Sequence, residues 1–459
     1  MQAAAPRPED AAHHRALAQE ARERGDELAA LAHLIAAKAL DEYAAGAAAE
    51  AARQVCTVAT GYFMKGDHER AQYWYGLTLA LDERQALAWL NLGAIHTQAG
   101  RSAEARQCQD RAYGLQRVYV EEAGQPVRRV LLLCAGRAAG NVPFDELVPT
   151  PRNARIKYAI DCAAEDEDES LPAVDLAVNA IGEPDVAGPL HARLERFARR
   201  FGRPLLNLPA RVAQTRRDRL PALLAGLDGV ETACCMRVEA ASDGERVGET
   251  AGNAPGDGAS ETAGETAQRL AEAGLVLPLL VRPATSHGGQ GLVRCESGSE
   301  FDAALRAQSG ACYVSAYRDC RSPDGHFRKY RVVFVDREPL PYHLAISPHW
   351  MVHYYTAGME GERWKLEEEA SFLADPAAAL GARAWAAVAA VGRRLDLDYA
   401  GVDFTLLPGA GVFVFEANAT MLVHRERPGG VLAHKNAAVA RIAGAFERLL
   451  DARGRATAA

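Results

Sequence analysis

YAGVDFTLLPGAGVFVFEAN, residues 399–418, alternates apolar and polar side chains on either side of a Pro/Gly-rich tetrapeptide. That alternation is the pattern of half-buried strands, and PGAG between the two runs predicts a hairpin. With 408–411 as the turn, Leu407 faces Val412, and counting back along both strands sets Asp403 opposite Glu416. Asn418 shares their face, and Gly401 opposite it leaves room. The other face sets Val402, Phe404 and Leu406 across from Ala417, Phe415 and Phe413. One side is thus apolar, while the other carries two carboxylates and an amide oxygen. Such hard donors suit Mg2+, which completes its shell with water and phosphate. A surface hairpin with solvated acids is the plainer alternative.

Outward from the hairpin, the whole chain has 459 residues, enough for two or three domains, with 49% hydrophobic and 24% charged side chains. A formal charge of −8 offers no general attraction for nucleic acid or anionic membrane. No apolar run approaches the roughly 20 residues of a spanning helix, and the first residues lack a signal-peptide core. A cytoplasmic protein is expected. The nine cysteines form no CxxC pair, against both a disulfide framework and a zinc knuckle. Lysine is scarce beside arginine, so a position that elsewhere asks for Lys is open to Arg here.

Residues 15–120 are alanine-rich, helical in period and repetitive. RGDELAALAHLIAAKALD (24–41) aligns with KGDHERAQYWYGLTLALD (65–82), matching Gly25 with Gly66, Ala30 with Ala71 and Asp41 with Asp82. The next copy follows 34 residues later, with Gly66 over Gly100 and Ala71 over Ala105. Its Trp89, Leu92, Gly93, His96, Gly100, Ala105 and Ala112 resemble the tetratricopeptide pattern of helix pairs, a groove for a peptide or partner protein. The longer first spacing predicts an insertion around 45–51. A brace or homodimer contact is the simpler use of such helices.

Gln125-Pro126 closes the helical region. Short apolar runs at 130–133, 174–178 and 204–208, with a helix-like stretch at 190–201, predict an α/β unit over 127–235. Residues 240–267, made of Gly, Glu, Thr, Ala and Ser with GETA twice, read as a disordered insert. Beyond it, 270–455 holds a strand ending in Arg282-Pro283, the loop SHGGQG (286–291), a strand reaching YRD (317–319), and the basic strand RKYRV (328–332). A glycine-rich turn between strands folds amide N–H groups over a polyphosphate. It is not a Walker A loop, because no GK[ST] follows. Strand alternation puts Lys329 and Arg331 on one face, a cationic clamp for phosphoryl or carboxylate groups. His343, His349 and His353 lack metal-ligand spacing, so His343, His353 and His424 are expected to line a substrate pocket instead.

Taken in this order, Arg282-Pro283, SHGGQG, YVSAYRD, RKYRV, GVDF and FEAN resemble the ATP-grasp superfamily, carboxylate-amine ligase type, over roughly 130–450. The implied fold is multidomain: an all-α repeat (TPR-like), then α/β and α+β subdomains of an ATP-grasp fold. The resemblance implies ATP as cosubstrate and Mg2+, or Mn2+ in its place, on Asp403, Glu416 and Asn418. It implies nucleotide contacts from Arg219, Arg282, Ser286, His287, Gly288, Gly289, Gly291, Val314, Ala316, Tyr317 and Asp319, and catalytic roles for Arg331, Arg282 and Lys329. The sequence departs from the pattern in having Arg282 before the loop where many members carry Lys. The earlier basic position falls to Arg217 or Arg219, and Ala316 stands in place of a hinge acid. The implied activity is amide formation through an acylphosphate, between a small-molecule acid or amine and a peptide or protein held by the repeats. Phosphotransfer to a small molecule and a nucleotide-sensing scaffold are the rival readings.

Overall fold

The computed structural model describes residues 9–137, 141, 144–239, 263–284, 286, 288–308, 310–419 and 421–455. The expected insert lies largely outside them, although Ala263–Glu272 forms a helix where the insert was expected to continue. The chain forms two compact units.

The first unit joins Met1–Tyr119 with Ala135–Arg137 and Lys157–Leu171. Its helices are α1 (Glu9–Glu23), α2 (Glu27–Ala44), α3 (Ala48–Met64), α4 (His68–Leu81), α5 (Ala86–Gln98) and α6 (Ser102–Leu115). Equivalent positions of the aligned copies carry the same local structure. Gly25, Gly66 and Gly100 have φ of +75°, +76° and +72° in the turns, a conformation that glycine adopts without strain. Ala30, Ala71 and Ala105 are buried. Asp26 and Asp67 cap α2 and α4 by accepting from the Ala29 and Arg70 amides at 3.0 and 3.1 Å. The extra residues of the first spacing lengthen α2 and α3 to 18 and 17 residues, against 14 and 13 in α4 and α5, rather than forming an inserted loop. The acidic run Glu165–Ser170 forms a 3-10 helix.

The strands form three sheets, two of them wholly within the second unit and the other mostly so. The first contains β1 (Val118–Glu121), β2 (Arg128–Cys134), β3 (Asn153–Ala159), β4 (Leu176–Asn179) and β5 (Leu205–Leu206) in the order β1-β3-β2-β4-β5. Within it β2, β4 and β5 run parallel, and helix α7 (Pro184–Arg200) crosses from β4 to β5, the α/β unit expected from the apolar runs. Next come β6 (Val230–Thr232), β7 (Cys235–Val238), β8 (Leu279–Pro283), β9 (Val293–Cys295) and β10 (Cys312–Ala316), followed by β11 (Phe327–Val335), β12 (Glu338–Ser347), β13 (Tyr399–Leu407) and β14 (Gly411–Asn418). An antiparallel sheet β7-β10-β8-β9 faces its own small core, which includes Val281, Cys312 and Val314. The larger sheet runs β12-β11-β13-β14-β6.

In the opening hairpin Asp403 does pair with Glu416, and Gly401 with Asn418. The route differs from the count. The loop is three residues, Pro408 to Ala410, so Leu407 pairs with Gly411, and a bulge between Asp403 and Phe404 restores the register. Phe404 therefore faces Val414, and Phe415 is 42% exposed rather than buried under Phe404. The room at Gly401 is filled: a β-carbon there would lie 2.6 Å from Met421 Cε. Before the hairpin, Gly381 at φ +87° separates the helices Pro376–Leu380 and Ala382–Leu395.

Candidate active site

Across four neighbouring strands of the larger sheet the register aligns Glu416, Asp403, Arg331 and His343. Directly paired residues point to one face, so this row presents two acids, a guanidinium and an imidazole together. Arg331 donates to Asp403 at 2.6 and 2.8 Å, and Lys329, two residues earlier on the same face, stands 3.1 Å from the same carboxylate. Glu416 is held at 2.6 Å by Arg217 and at 3.6 Å by Arg282. Asn418 Nδ2 lies 3.4 Å from Glu416 Oε1. Burial raises both carboxyls, but the neighbouring cations outweigh it. Arg331 and Lys329 hold Asp403 well below the ordinary range, and Arg217 and Arg282 hold Glu416 below it. Both acids are charged.

All of these residues but His343 line a cavity of about 580 Å3 between the antiparallel sheet and the larger one, a size typical of small-molecule sites. Its apolar wall includes Leu280, Ala316, Tyr317, Leu292, Phe413 and Phe415, and its polar wall Glu416, Asp403 and Arg331 with Glu183. Six cations, Arg217, Arg282, Arg318, Arg328, Lys329 and Arg331, thus line it with three carboxyls among the described residues. One of those, Glu183, is pushed up to about 7 by burial, against the pull of Arg217 and with Asp185 adding to the rise. Burial and Arg217 likewise lower Arg282. Positive charge is in excess, which suits a polyanion.

Asp403, Glu416 and Asn418 fit a hard divalent cation as donors, on one face of a rigid ladder with their rungs two apart. Among the described residues no three His, Cys, Asp or Glu side chains gather into a metal-holding group, so the amide is needed to complete the set. No described helix is long and apolar enough to cross a membrane.

Of the expected nucleotide contacts, Arg282, Gly288, Gly289, Ala316 and Tyr317 line the cavity. Arg219 does not: it is exposed and turned to the Ala213 carbonyl, and Arg217 occupies the cavity instead. The Val314 side chain is buried in the core of the small sheet, and its backbone is paired on both sides, with β7 and β8. The Ala316 and Tyr317 amides donate to the carbonyls of Cys234 and Pro278, at 3.2 and 3.0 Å. Asp319 is exposed and accepts from the Arg321 amide, away from the cavity wall. Ser286 serves the loop itself: its hydroxyl donates to the Pro283 carbonyl at 2.9 Å and its carbonyl accepts from Arg282. At Gly291 a β-carbon would meet the Pro283 ring at 2.9 Å, so the glycine is required by packing. His287 lies outside the described residues.

His343 is buried against Tyr354, ring centroids 4.6 Å apart, and is not on the cavity wall. His424 bonds Tyr342 and Tyr355, and of the three histidines expected there only His353 lines the cavity. A β-carbon at Gly288 would sit 3.4 Å from His353 Nε2, and one at Gly289 would sit 3.3 Å from Met351 Sδ. The glycine loop therefore rests directly on the segment after β12. Sequence reasoning missed Met351 in this contact and Glu183 altogether, since neither belongs to a local pattern.

No family model and no curated protein matches the chain. Solved structures similar to it include D-alanine–D-alanine ligase from Bacillus anthracis complexed with ATP, at 12% identity over 69% of this chain and 98% of that one, TM-score 0.38. VanG D-Ala:D-Ser ligase from Enterococcus faecalis matches at 14% over 70% and 100%, TM-score 0.41. A RimK domain protein, ATP-grasp, from Sphaerobacter thermophilus matches at 15% over 69% and 97%, TM-score 0.40. Scores this low do not establish a shared fold, so the reading of the cavity rests on its own residues.

Proposed function

We propose that the chain is an ATP-dependent carboxylate-amine ligase of the ATP-grasp type, joining an acid to an amine through an acylphosphate with release of ADP and phosphate. The observation that carries this reading is the row Glu416-Asp403-Arg331, flanked by Lys329, Arg282 and Arg217 within one cavity. Its excess cations suit the phosphates, and the wall of Leu280, Ala316 and Phe413 suits a base. Mg2+ or Mn2+ on Asp403, Glu416 and Asn418 would neutralise charge on the phosphate oxygens. Arg331 and Lys329, now spent on Asp403, are placed to turn to the transferring phosphoryl group, and Arg282 and Arg217 to hold the chain of phosphates. A substrate carboxylate oxygen attacks the terminal phosphorus, and the bond to ADP breaks. The amine then attacks the acyl carbon and phosphate leaves. The glycine loop resting on Met351 and His353 keeps water from the acylphosphate. The helical repeats, read as TPR-like, present a peptide or protein substrate.

Asp403→Ala and Glu416→Ala are each expected to lower substrate-dependent ADP release at least about 1,000-fold while the far-UV circular dichroism stays unchanged. Undiminished release in both would end the assignment, and a stable phosphorylated product would replace ligation by phosphotransfer.

A further inference from the structure

Two irregular stretches of chain form the cavity wall beside the candidate metal donors. The stretch after β12 contributes Met351 and His353, and the stretch after β14 contributes Met421 and Leu422. Met421 Sδ lies 4.0 Å from Asn418 Nδ2. Burial, and after it Lys329 and Arg331, lower the His353 imidazole below its ordinary value, the mark of a ring standing near those two cations. None of the four residues belongs to a helix or a strand, so no regular ladder of backbone bonds fixes their course. Side chains have to hold them.

A buried ammonium group joins the two stretches. Lys435, 1% exposed, directly precedes the helix Asn436–Arg455, whose Val439, Ile442 and Phe446 pack into one core with Val130 of β2 and Val333 of β11. It is thus carried by a fixed element. Its Nζ donates to Glu426 Oε1, in the stretch after β14, at 2.6 Å. The same Nζ lies 3.9 Å from the ring centroid of Tyr354, 5.5 Å from that of Tyr342 and 5.9 Å from that of Tyr355, distances at which ring faces attract a cation. Tyr354 and Tyr355 follow His353 directly and open the 3-10 turn Tyr354–Thr356. Their hydroxyls complete the joint. Tyr355 donates to Glu426 at 3.1 Å and bonds His424, while Tyr354 donates to Glu369 at 3.0 Å. Glu369 also accepts from the Leu344 amide of β12 at 3.0 Å. Carboxylate and ring faces replace the water that the ammonium group gives up on burial.

We infer that Lys435 is a positioning residue for the acid-binding end of the cavity: by gripping Glu426 and the Tyr354 ring it holds residues 351–353 and 421–422 at a set distance from each other. It does not itself line the cavity, and it acts through those two stretches. Its part in acid binding rests on the ligase reading and adds to it which residue gives the substrate wall its shape. The cations assigned to the chain of phosphates, Arg217 and Arg282, come from other elements. Loss of Lys435 therefore displaces the wall that faces the substrate carboxylate while the nucleotide keeps its contacts.

The test reads amide hydrogen exchange, nucleotide affinity and chemistry on the full chain. With MgAMP-PNP present, Lys435→Met is expected to speed exchange about 10-fold in peptides covering 348–356 and 421–432, and to leave peptides over 399–418 within about 2-fold of the parent. Chemistry is measured with MgATP, hydroxylamine to trap acylphosphate as hydroxamate, and a pool of the twenty proteinogenic amino acids with succinate and benzoate. Hydroxamate formation is expected to fall about 100-fold, the scale of a displaced reacting group, while affinity for MgAMP-PNP stays within about 3-fold. Tyr355→Phe removes only the hydroxyl that bonds Glu426 and His424, at a side chain 57% exposed. It is expected to keep the fold and to speed exchange in the same two peptides about 3-fold, and it carries the test should the Met variant fail to fold. Unchanged exchange in both stretches overturns the inference. So does an equal rise over 399–418, or a loss of nucleotide affinity as large as the loss of hydroxamate, since a generally loosened fold would do the same. A parent chain that yields neither hydroxamate nor ADP overturns the ligase reading, while the exchange result still decides whether Lys435 holds the wall.

Discussion

Arg331 is the residue on which both stability and chemistry of the site converge. Its guanidinium grips a carboxylate only 1% exposed, through two parallel hydrogen bonds. Removing one partner of such a buried pair leaves the other without compensation and costs about 3–5 kcal/mol, of which Lys329 at 3.1 Å offsets a part. Arg331→Met should therefore lower the unfolding free energy by roughly 2–4 kcal/mol in urea titrations and abolish ADP release. Adding Asp403→Asn should recover at least about 1 kcal/mol without restoring activity, because the orphaned charge is gone but the site is not rebuilt. No recovery in the double variant would mean that the pair contributes through something other than charge compensation. At this scale the sequence showed the residues whose neighbours along a strand define their direction, namely Lys329, Arg331, Asp403, Glu416 and Asn418. Arg217 and Arg219 could not be separated, since they precede the short helix Leu220–Leu224 in an irregular turn where no period assigns a face. Glu183 was invisible, because no local pattern brings the residue after β4 to a cavity lined by strands of two other sheets.

The hairpin β13–β14 keeps its place through one side chain on another element. Asn207, fully buried with φ +57°, follows β5 and reaches both ends of the hairpin. Its Nδ2 donates to the carbonyls of Tyr399 and Ala419 at 2.7 and 2.6 Å, and its Oδ1 accepts from the Tyr399 amide at 2.9 Å. Its own amide donates to Asp398 at 3.0 Å. Asn207→Ala removes three of these bonds, strands buried backbone groups and places a β-branchless but non-polar residue at a left-handed position that Asn tolerates better. The expected loss is about 3 kcal/mol or more, measured by urea unfolding, with a rise in KM for ATP as the acids shift. A loss under about 1 kcal/mol would show that water or a neighbour replaces the amide. The strands themselves were legible from alternation. Their register was reached through two departures that cancel, a turn one residue shorter than counted and a bulge beside Asp403. Period-2 reasoning cannot see a bulge, and the exposed Phe415 is its only trace in the side-chain pattern.

At the scale of the molecule, the break at Gln125-Pro126 suggests that the helices could be cut away before residue 120. The contacts within the first unit argue otherwise, because it takes in Ala135–Arg137 and Lys157–Leu171 as well. Asp110 pairs with Arg137 at 3.0 Å, and the Arg117 carbonyl accepts from the Ala159 amide at 2.9 Å. Arg117 also reaches Glu167 at 3.3 Å, and Tyr113 packs so closely on Gly136 that a β-carbon there would lie 2.8 Å from its ring. Chain order cannot reveal such an arrangement, since the partners lie on separate segments, 20 to 50 residues past the helices. A chain beginning at residue 120 would bare those two segments, including Ala159 and Ile160, which are now buried. It should melt several degrees lower than the full chain or pass into the insoluble fraction, both measurable on matched preparations. Should it stay soluble with an unchanged melting curve, the segments would have to hold their structure without helical cover, and the helices would be separable modules after all. Otherwise loss of activity in such a fragment would say nothing about substrate docking. Docking is better tested by Tyr73→Ser and Leu31→Ser, since both side chains are more than half exposed and neither is needed for the helical core.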